Sequence, residues 1–331
     1  MTTSLALPVL DTGLEQRLLD RMDEVEAALR EHVRSEAPFV TEAARHLLDA
    51  GGKRFRPLLV LLAAESGKRP TDDGVLTAAC VVELTHLASL YHDDVMDEAA
   101  LRRGAASANA RWDNHVAILT GDFLFSKSSE LTALLGADAV RIQAETFTRL
   151  VEGQILETLG PGVDDDPLEH YLRVIAGKTG ALIATSARYG ARFAGAPLEV
   201  EEALTEYGEK VGVAFQLSDD ILDVASESVE SGKTPGTDLR EGVPTLPVLM
   251  AQRSTDPADA RLLELLRGDL SDDRHHAEAL DLLRRHPAMA AARRHVTERA
   301  NEAKELLKAL PEGPVREALE TFADVVASRT A

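Results

Sequence analysis

The run Ala78-Ala79-Cys80-Val81-Val82-Glu83-Leu84-Thr85-His86-Leu87-Ala88-Ser89-Leu90-Tyr91-His92-Asp93-Asp94-Val95-Met96-Asp97 passes from an apolar stretch directly into a cluster of carboxylates. It shows no period-two alternation and reads as a helix over residues 72–98. Residues four apart share a helix face, so Asp93 and Asp97 can grip the same ion. The pattern recurs in Phe215-Gln216-Leu217-Ser218-Asp219-Asp220-Ile221-Leu222-Asp223, again at the end of an apolar helix. Carboxylates crowded in this way repel one another unless a cation neutralises them. All-oxygen ligands favour a hard ion such as Mg²⁺, which keeps several waters and shares its other positions with substrate phosphates. The pair of clusters therefore implies a cavity where metal ions hold a diphosphate between two helices.

The rest of the composition suits a helical protein. The chain has 331 residues, of which 44% are hydrophobic and only 4% aromatic. The apolar load falls on Ala, Leu and Val, which favours packed helices over sheets. A formal net charge of −20 argues against nucleic acid as a partner, because that binding depends on neutralising phosphates with Lys and Arg. A small anionic substrate is still compatible, since local basic clusters are present. The single cysteine, Cys80, excludes an internal disulfide, suits a reducing cytoplasm and reads as a core residue. The first residues lack a signal peptide, and no apolar run of about 18 residues marks a membrane span.

Helical periodicity covers 13–34, 40–49, 57–66, 72–98, 107–135, 137–159, 166–191, 198–226, 244–252, 257–268, 273–285, 287–309 and 314–328. Breaks fall at Gly51-Gly52, Gly160-Pro161-Gly162, Gly195-Ala196-Pro197 and the segment 231–244. No linker divides the chain. The expected architecture is one all-α domain over 1–331, with 255–331 the candidate for a C-terminal helical subdomain.

Basic residues stand beside each acidic cluster. Arg102 and Arg103 follow the first, in a turn where guanidinium forks can meet phosphate oxygens or simply neutralise Asp97 and Glu98. Lys233 lies in a Gly- and Pro-rich segment after the second, which reads as a flexible lid. A third element, Gly51-Gly52-Lys53-Arg54-Phe55-Arg56-Pro57, puts three cations in a tight turn before a helix. That turn is an anion pocket or a set of solvated charges. His86, two turns above Asp93 on the same face, could donate to an anion held by Lys53 and Arg56. Lys178-Thr179 after Gly177 is a weaker signal of the same kind.

Together these residues resemble the trans-polyprenyl diphosphate synthases (the polyprenyl synthetase family), in medium- or long-chain form. The motifs that carry the resemblance are 51–57, 93–103, 177–179, 215–223 and 232–238. The resemblance implies a large helical bundle around a central cavity, of the isoprenoid synthase type. It also implies condensation of isopentenyl diphosphate with an allylic diphosphate, with about three Mg²⁺ ions when substrate is bound. It assigns Lys53, Arg56, His86 and Arg103 to isopentenyl diphosphate, and Arg102, Lys178, Thr179, Gln216 and Lys233 to the allylic diphosphate. Asp93, Asp97 and Asp219 become the main metal ligands, with Asp94, Asp220 and Asp223 as further ligands or as groups behind them. The catalytic set is then Asp93, Asp94, Asp97, Asp219, Asp220, Lys178 and Lys233. A homodimer also follows from the resemblance, while the cysteine usage and the lack of a signal peptide or membrane span imply a cytoplasmic enzyme that an oily product could still bring to a membrane surface.

Ala88 and Ser89 lie about one turn, ~5.4 Å, below Asp93. Both are small where short-chain members of the family often carry an aromatic residue. They leave room for a long tunnel and an all-trans product of about 30 to 50 carbons, or they permit close helix packing. A geranylgeranyl or farnesyl synthase is the same chemistry stopped earlier. A regulatory subunit of a heteromeric synthase is the non-enzymatic alternative, and it would not need both metal clusters.

Overall fold

The structure, a computed structural model, describes residues 5, 9–226 and 235–329. The described residues are all-α, apart from two short strands. By Cα proximity it falls into two compact units, each assembled from separate stretches of sequence. The first comprises 1–147, 182–208 and 307–319, and the second 148–181, 209–306 and 320–331. Residues 255–331 are therefore shared between the units.

In the first unit, α1 (Thr12–His32) begins where the Asp11 carboxylate accepts the Leu14 N–H at 2.6 Å. It buries Leu14, Leu18, Met22, Val25 and Leu29 along one stripe, each worth roughly 1.5–3 kcal/mol. α2 (Pro38–Asp49) leads through the Gly51-Gly52 turn into α3 (Phe55–Ala64), in which every residue from Pro57 to Ala64 is buried. α4 (Asp73–Met96) is buried nearly all round and ends at the first aspartate cluster. It packs against α3 and, most extensively, against α6 (Asn114–Leu134). Gly121 of α6 permits this approach: a Cβ there would strike the His92 ring and lie 3.2 Å from the Ala88 carbonyl. α4 is also long and apolar enough to cross a membrane, which the sequence reading did not anticipate, but 72% of its apolar window is buried inside the protein.

In the second unit, α8 (Pro167–Ile175) starts on Asp166, which accepts the N–H groups of Leu168 and Glu169. A single π-helical turn, Ala176–Gly180, follows it. The turn lies against Gly153 of α7 (Ala137–Leu159), where a Cβ would sit 2.7 Å from the Lys178 nitrogen. The two segments approach closely only because Gly153 and Gly177 lack side chains. α10 (Leu198–Ala225) supplies residues to both units and carries the second aspartate cluster within the second. α14 (Asp273–Arg285) holds the flanks of 227–234, which lie outside the described residues. Arg284 donates to the carbonyls of Val224 and Ser226, and His276 contacts the Gly236 carbonyl at 2.8 Å.

The structure departs from the expected elements in a few places. The helix expected over 107–135 is broken after α5 (Ala108–Arg111), because the Asp113 carboxylate accepts the Val116 N–H at 2.8 Å and restarts it. The expected 166–191 helix is interrupted by the π-helical turn and resumes as α9 (Ala181–Phe193). Where no strand was expected, Leu101–Arg102 and Ala105–Ala106 pair antiparallel around the Arg103-Gly104 turn.

Candidate active site

The Gly51-Gly52 turn sorts its three cations. Arg54 is 4% exposed and adopts a left-handed backbone. Its guanidinium pairs with Glu83 at 3.0 Å and Glu26 at 2.5 Å, and donates to the carbonyls of Leu48 and Gly51. It is a structural strut, fully occupied by protein groups. Lys53 is exposed to solvent and Arg56 is half-buried. The Arg56 Nε is sequestered with no hydrogen-bond partner among the described residues. Burial lowers its pKa to about 10, only partly offset by Glu83.

Arg103 joins this group from the far side of the hairpin. Its Nη1 donates to the Leu47 carbonyl at 2.9 Å and to that of Gly51. Its guanidinium lies so close over Gly52 that a Cβ there would meet Arg103 Cζ at 2.8 Å. His86, on α4, feels the same charges. Burial, then Arg56, Arg103, Arg54 and Arg102, hold its imidazole neutral well below the ordinary value of 6.5. Gly52, Arg56, His86 and Arg103 thus form a cationic cluster with an unspent donor, suited to a multiply charged anion.

The first aspartate cluster is divided by exposure. Asp97 is exposed at the C-cap of α4, and Asp93 is half-buried one turn earlier. Asp94 is fully buried, and its Oδ1 accepts the Arg102 Nε–H at 2.6 Å. Its Oδ2 has no partner among the described residues, and burial raises its pKa despite Arg102. Arg102 therefore neutralises Asp94, rather than Asp97 or Glu98. Ala88 is fully buried against α6, and the Ser89 hydroxyl donates to the His86 carbonyl at 2.8 Å.

The second cluster, in the other unit, is divided in the same way. Asp219 has a 41% exposed side chain and pairs with Arg329 at 2.9 Å. Asp220 is 4% exposed. It accepts the Gln216 Nε2–H at 3.2 Å and the Tyr171 hydroxyl, and burial raises its pKa to about 7. The Asp223 carboxylate accepts the N–H groups of Thr237 and Asp238, both at 3.2 Å, at the start of α11 (Thr237–Arg240). The Thr179 hydroxyl donates to Gln216 Oε1 at 3.3 Å, and Lys178 pairs with Glu157 at 2.5 Å. Lys233 lies outside the described residues.

Among the described residues, no three His, Cys, Asp or Glu side chains converge as a ready-made metal cage. The donor set still fits Mg²⁺. Each cluster offers accessible all-oxygen ligands, Asp93 with Asp97 and then Asp219, and Mg²⁺ completes its shell with water and substrate phosphate. Glu83 and Tyr171 were not singled out from the sequence. Glu83 had a visible signal, as the only carboxylate inside the apolar run 78–91. Tyr171 had a fainter one, two helical turns before Lys178. Arg329 had none.

Three comparisons bear on this site. A family model described as polyprenyl synthetase matches residues 37–283. The chain is 50% identical over 305 residues to the nonaprenyl diphosphate synthase of Mycobacterium tuberculosis, covering 92% of this chain and 91% of the relative. The fold is similar to that of the geranylgeranyl pyrophosphate synthase from Corynebacterium glutamicum, solved with calcium and isoprenyl diphosphate. There the TM-score is 0.90 at 47% identity, covering 98% of this chain and 99% of the other. It is also similar to a decaprenyl diphosphate synthase from Rhodobacter capsulatus, with a TM-score of 0.87 at 36% identity, covering 96% and 98%.

Proposed function

The chain belongs to the polyprenyl synthetase family, and from that premise we propose the roles of its residues in a trans-prenyltransferase that joins isopentenyl diphosphate to an allylic diphosphate. The observation that carries the reading is the cationic cluster of Gly52, Arg56, His86 and Arg103, whose Arg56 Nε has no partner among the described residues. A metal-assisted enzyme with one diphosphate substrate has no need of this second anion site. Two diphosphates imply condensation.

Lys53, Arg56, His86 and Arg103 hold the diphosphate of isopentenyl diphosphate. Neutral His86 can donate one N–H without adding to the local positive charge. Arg102, Lys178, Thr179, Gln216 and Lys233 serve the allylic diphosphate, with Lys178 released from Glu157 and Thr179 from Gln216. When bound at Asp93, Asp97 and Asp219, Mg²⁺ supplies positive charge against the departing diphosphate. The allylic C–O bond breaks with its electron pair leaving on the diphosphate. The double bond of isopentenyl diphosphate forms the new C–C bond, and a proton passes to the released diphosphate. The product is a longer allylic diphosphate that can react again.

The product is all-trans, in the range of about 30 to 50 carbons, because Ala88 and Ser89 set no aromatic floor beneath Asp93. Geranylgeranyl diphosphate is the second reading, favoured by the likeness to the Corynebacterium enzyme. The working form is a homodimer. Exposed Ile118 and Leu119 on α6, with Val140 and Phe147 on α7, support this by presenting apolar surface. The enzyme works in the cytoplasm and touches membranes only peripherally.

The test is purified protein with Mg²⁺, isopentenyl diphosphate and a panel of allylic primers, with products weighed by mass spectrometry. Elongation with at least one primer is expected, and none with any primer overturns the reading. Lys233→Ala should slow turnover and weaken allylic binding; no change in either removes Lys233 from the site.

A further inference from the structure

Asp220 is the most completely held residue of its cluster. Gln216, one turn earlier on α10, donates to Oδ1 at 3.2 Å, and Tyr171 donates to Oδ2 from α8. Gln216 in turn accepts from Thr179 at 3.3 Å. A continuous chain of hydrogen bonds therefore links Thr179 in the π-helical turn, Gln216 and Asp220 on α10, and Tyr171 on α8. Asp220 is 4% exposed, whereas its neighbour Asp219 has a 41% exposed side chain. The buried carboxylate is held by Gln216 and Tyr171, and the more accessible one pairs with Arg329.

We propose that Tyr171 is a positioning residue for the second aspartate cluster: through Asp220, which serves as a strut, it fixes the turn of α10 that presents Asp219 to the metal. The hydroxyl ties α8 directly to that turn. Groups that orient a metal ligand from behind govern affinity by roughly 10- to 100-fold, because a ligand displaced by a fraction of an ångström no longer matches the ion. The inference rests on the reading of this cluster as a divalent-metal site.

The experiment measures Mn²⁺ binding to the full chain by calorimetry, with inorganic diphosphate present, alongside steady-state kinetics. Tyr171→Phe should raise the Mn²⁺ dissociation constant roughly ten-fold. The KM for isopentenyl diphosphate should stay within about two-fold, and saturating Mn²⁺ should restore turnover. An unchanged dissociation constant overturns the proposal. So does a parallel rise in both constants, which would mark general loosening. Wild-type protein that takes up no Mn²⁺ would instead defeat the underlying metal reading. A melting curve in metal-free buffer establishes that the variant folds. Should it not fold, Asp220→Asn tests the strut from the other end, since it keeps the side-chain shape but offers one acceptor oxygen to the two donors, Gln216 and Tyr171. Mn²⁺ binding weakened roughly 10- to 100-fold supports the strut; unchanged binding, or a larger loss that makes Asp220 a direct ligand, overturns it.

Discussion

Arg54 and Arg56 are two residues apart in one basic turn, yet the structure gives them opposite tasks. Arg54→Met removes the partner of Glu83, whose side chain is 2% exposed and whose distance to Arg54 is 3.0 Å. Breaking a buried pair from one side leaves an uncompensated charge and costs about 3–5 kcal/mol. The Leu48 and Gly51 carbonyls lose a donor as well. With an m-value of about 3 kcal/mol/M, the urea midpoint should fall by roughly 1 M or more. Arg54→Met/Glu83→Gln should recover part of that loss. Arg56→Met removes a desolvated guanidinium whose Nε bonds to nothing described, so the midpoint should hold or rise. Its cost should appear in the KM for isopentenyl diphosphate, raised roughly 10- to 100-fold for a lost charged hydrogen bond of about 1.5–3 kcal/mol. Urea titration followed by tryptophan fluorescence, with steady-state kinetics on the same samples, reads both quantities. If Arg54→Met loses substrate affinity at an unchanged midpoint, the division of labour is refuted.

Gly52→Ala should raise the same KM, because the new methyl group would displace the Arg103 guanidinium and strain a φ of +141°; kinetic constants matching the wild type would count against Arg103 in the pocket. His86 gives a pH signature. Its folded-state pKa is depressed, so below about 6.5 the unfolded chain binds a proton that the folded chain refuses. Stability should therefore fall as pH drops from about 6.5 towards the folded value, with no effect above it. His86→Gln should flatten that limb of the stability–pH curve, and an unaltered slope would refute the depressed pKa. Ala88→Phe should shorten the product, read by mass spectrometry. A fall in thermal stability with the same product would show that Ala88 serves helix packing against Gly121.

Much of the fold was legible because helical periodicity runs through most of the chain and breaks where Gly and Pro cluster, as at Gly51-Gly52 before α3 and Gly195-Ala196-Pro197 before α10. The break at Trp112-Asp113 was missed because apolar periodicity resumes immediately after it. The π-helical turn depends on Gly177 approaching Gly153, a contact between distant residues that no local pattern announces. The same reason limited the reading of the site. The basic turn announced three cations, but the carboxylates that claim Arg54 lie 28 and 29 residues away, on α1 and α4. The spacing of the two Asp-Asp-x-x-Asp motifs did not itself announce their internal division, in which Asp94 and Asp220 turn inward; the resemblance left both open as ligands or as groups behind them. That division depends on Arg102 in the hairpin and on Tyr171 on α8.

Both acidic clusters also occupy the last turns of long helices, α4 ending at Met96 and α10 at Ala225. Helix C-termini carry partial negative charge and favour Lys, Arg or His. The carboxylates stand where helix electrostatics disfavours them, by about 0.3–1 kcal/mol each when exposed. The metal-free chain is thus less stable than its own helices allow, a trade of stability for activity. Asp97→Asn should make an inactive protein that melts later, and cations bound at these ends act as helix caps as well as reagents.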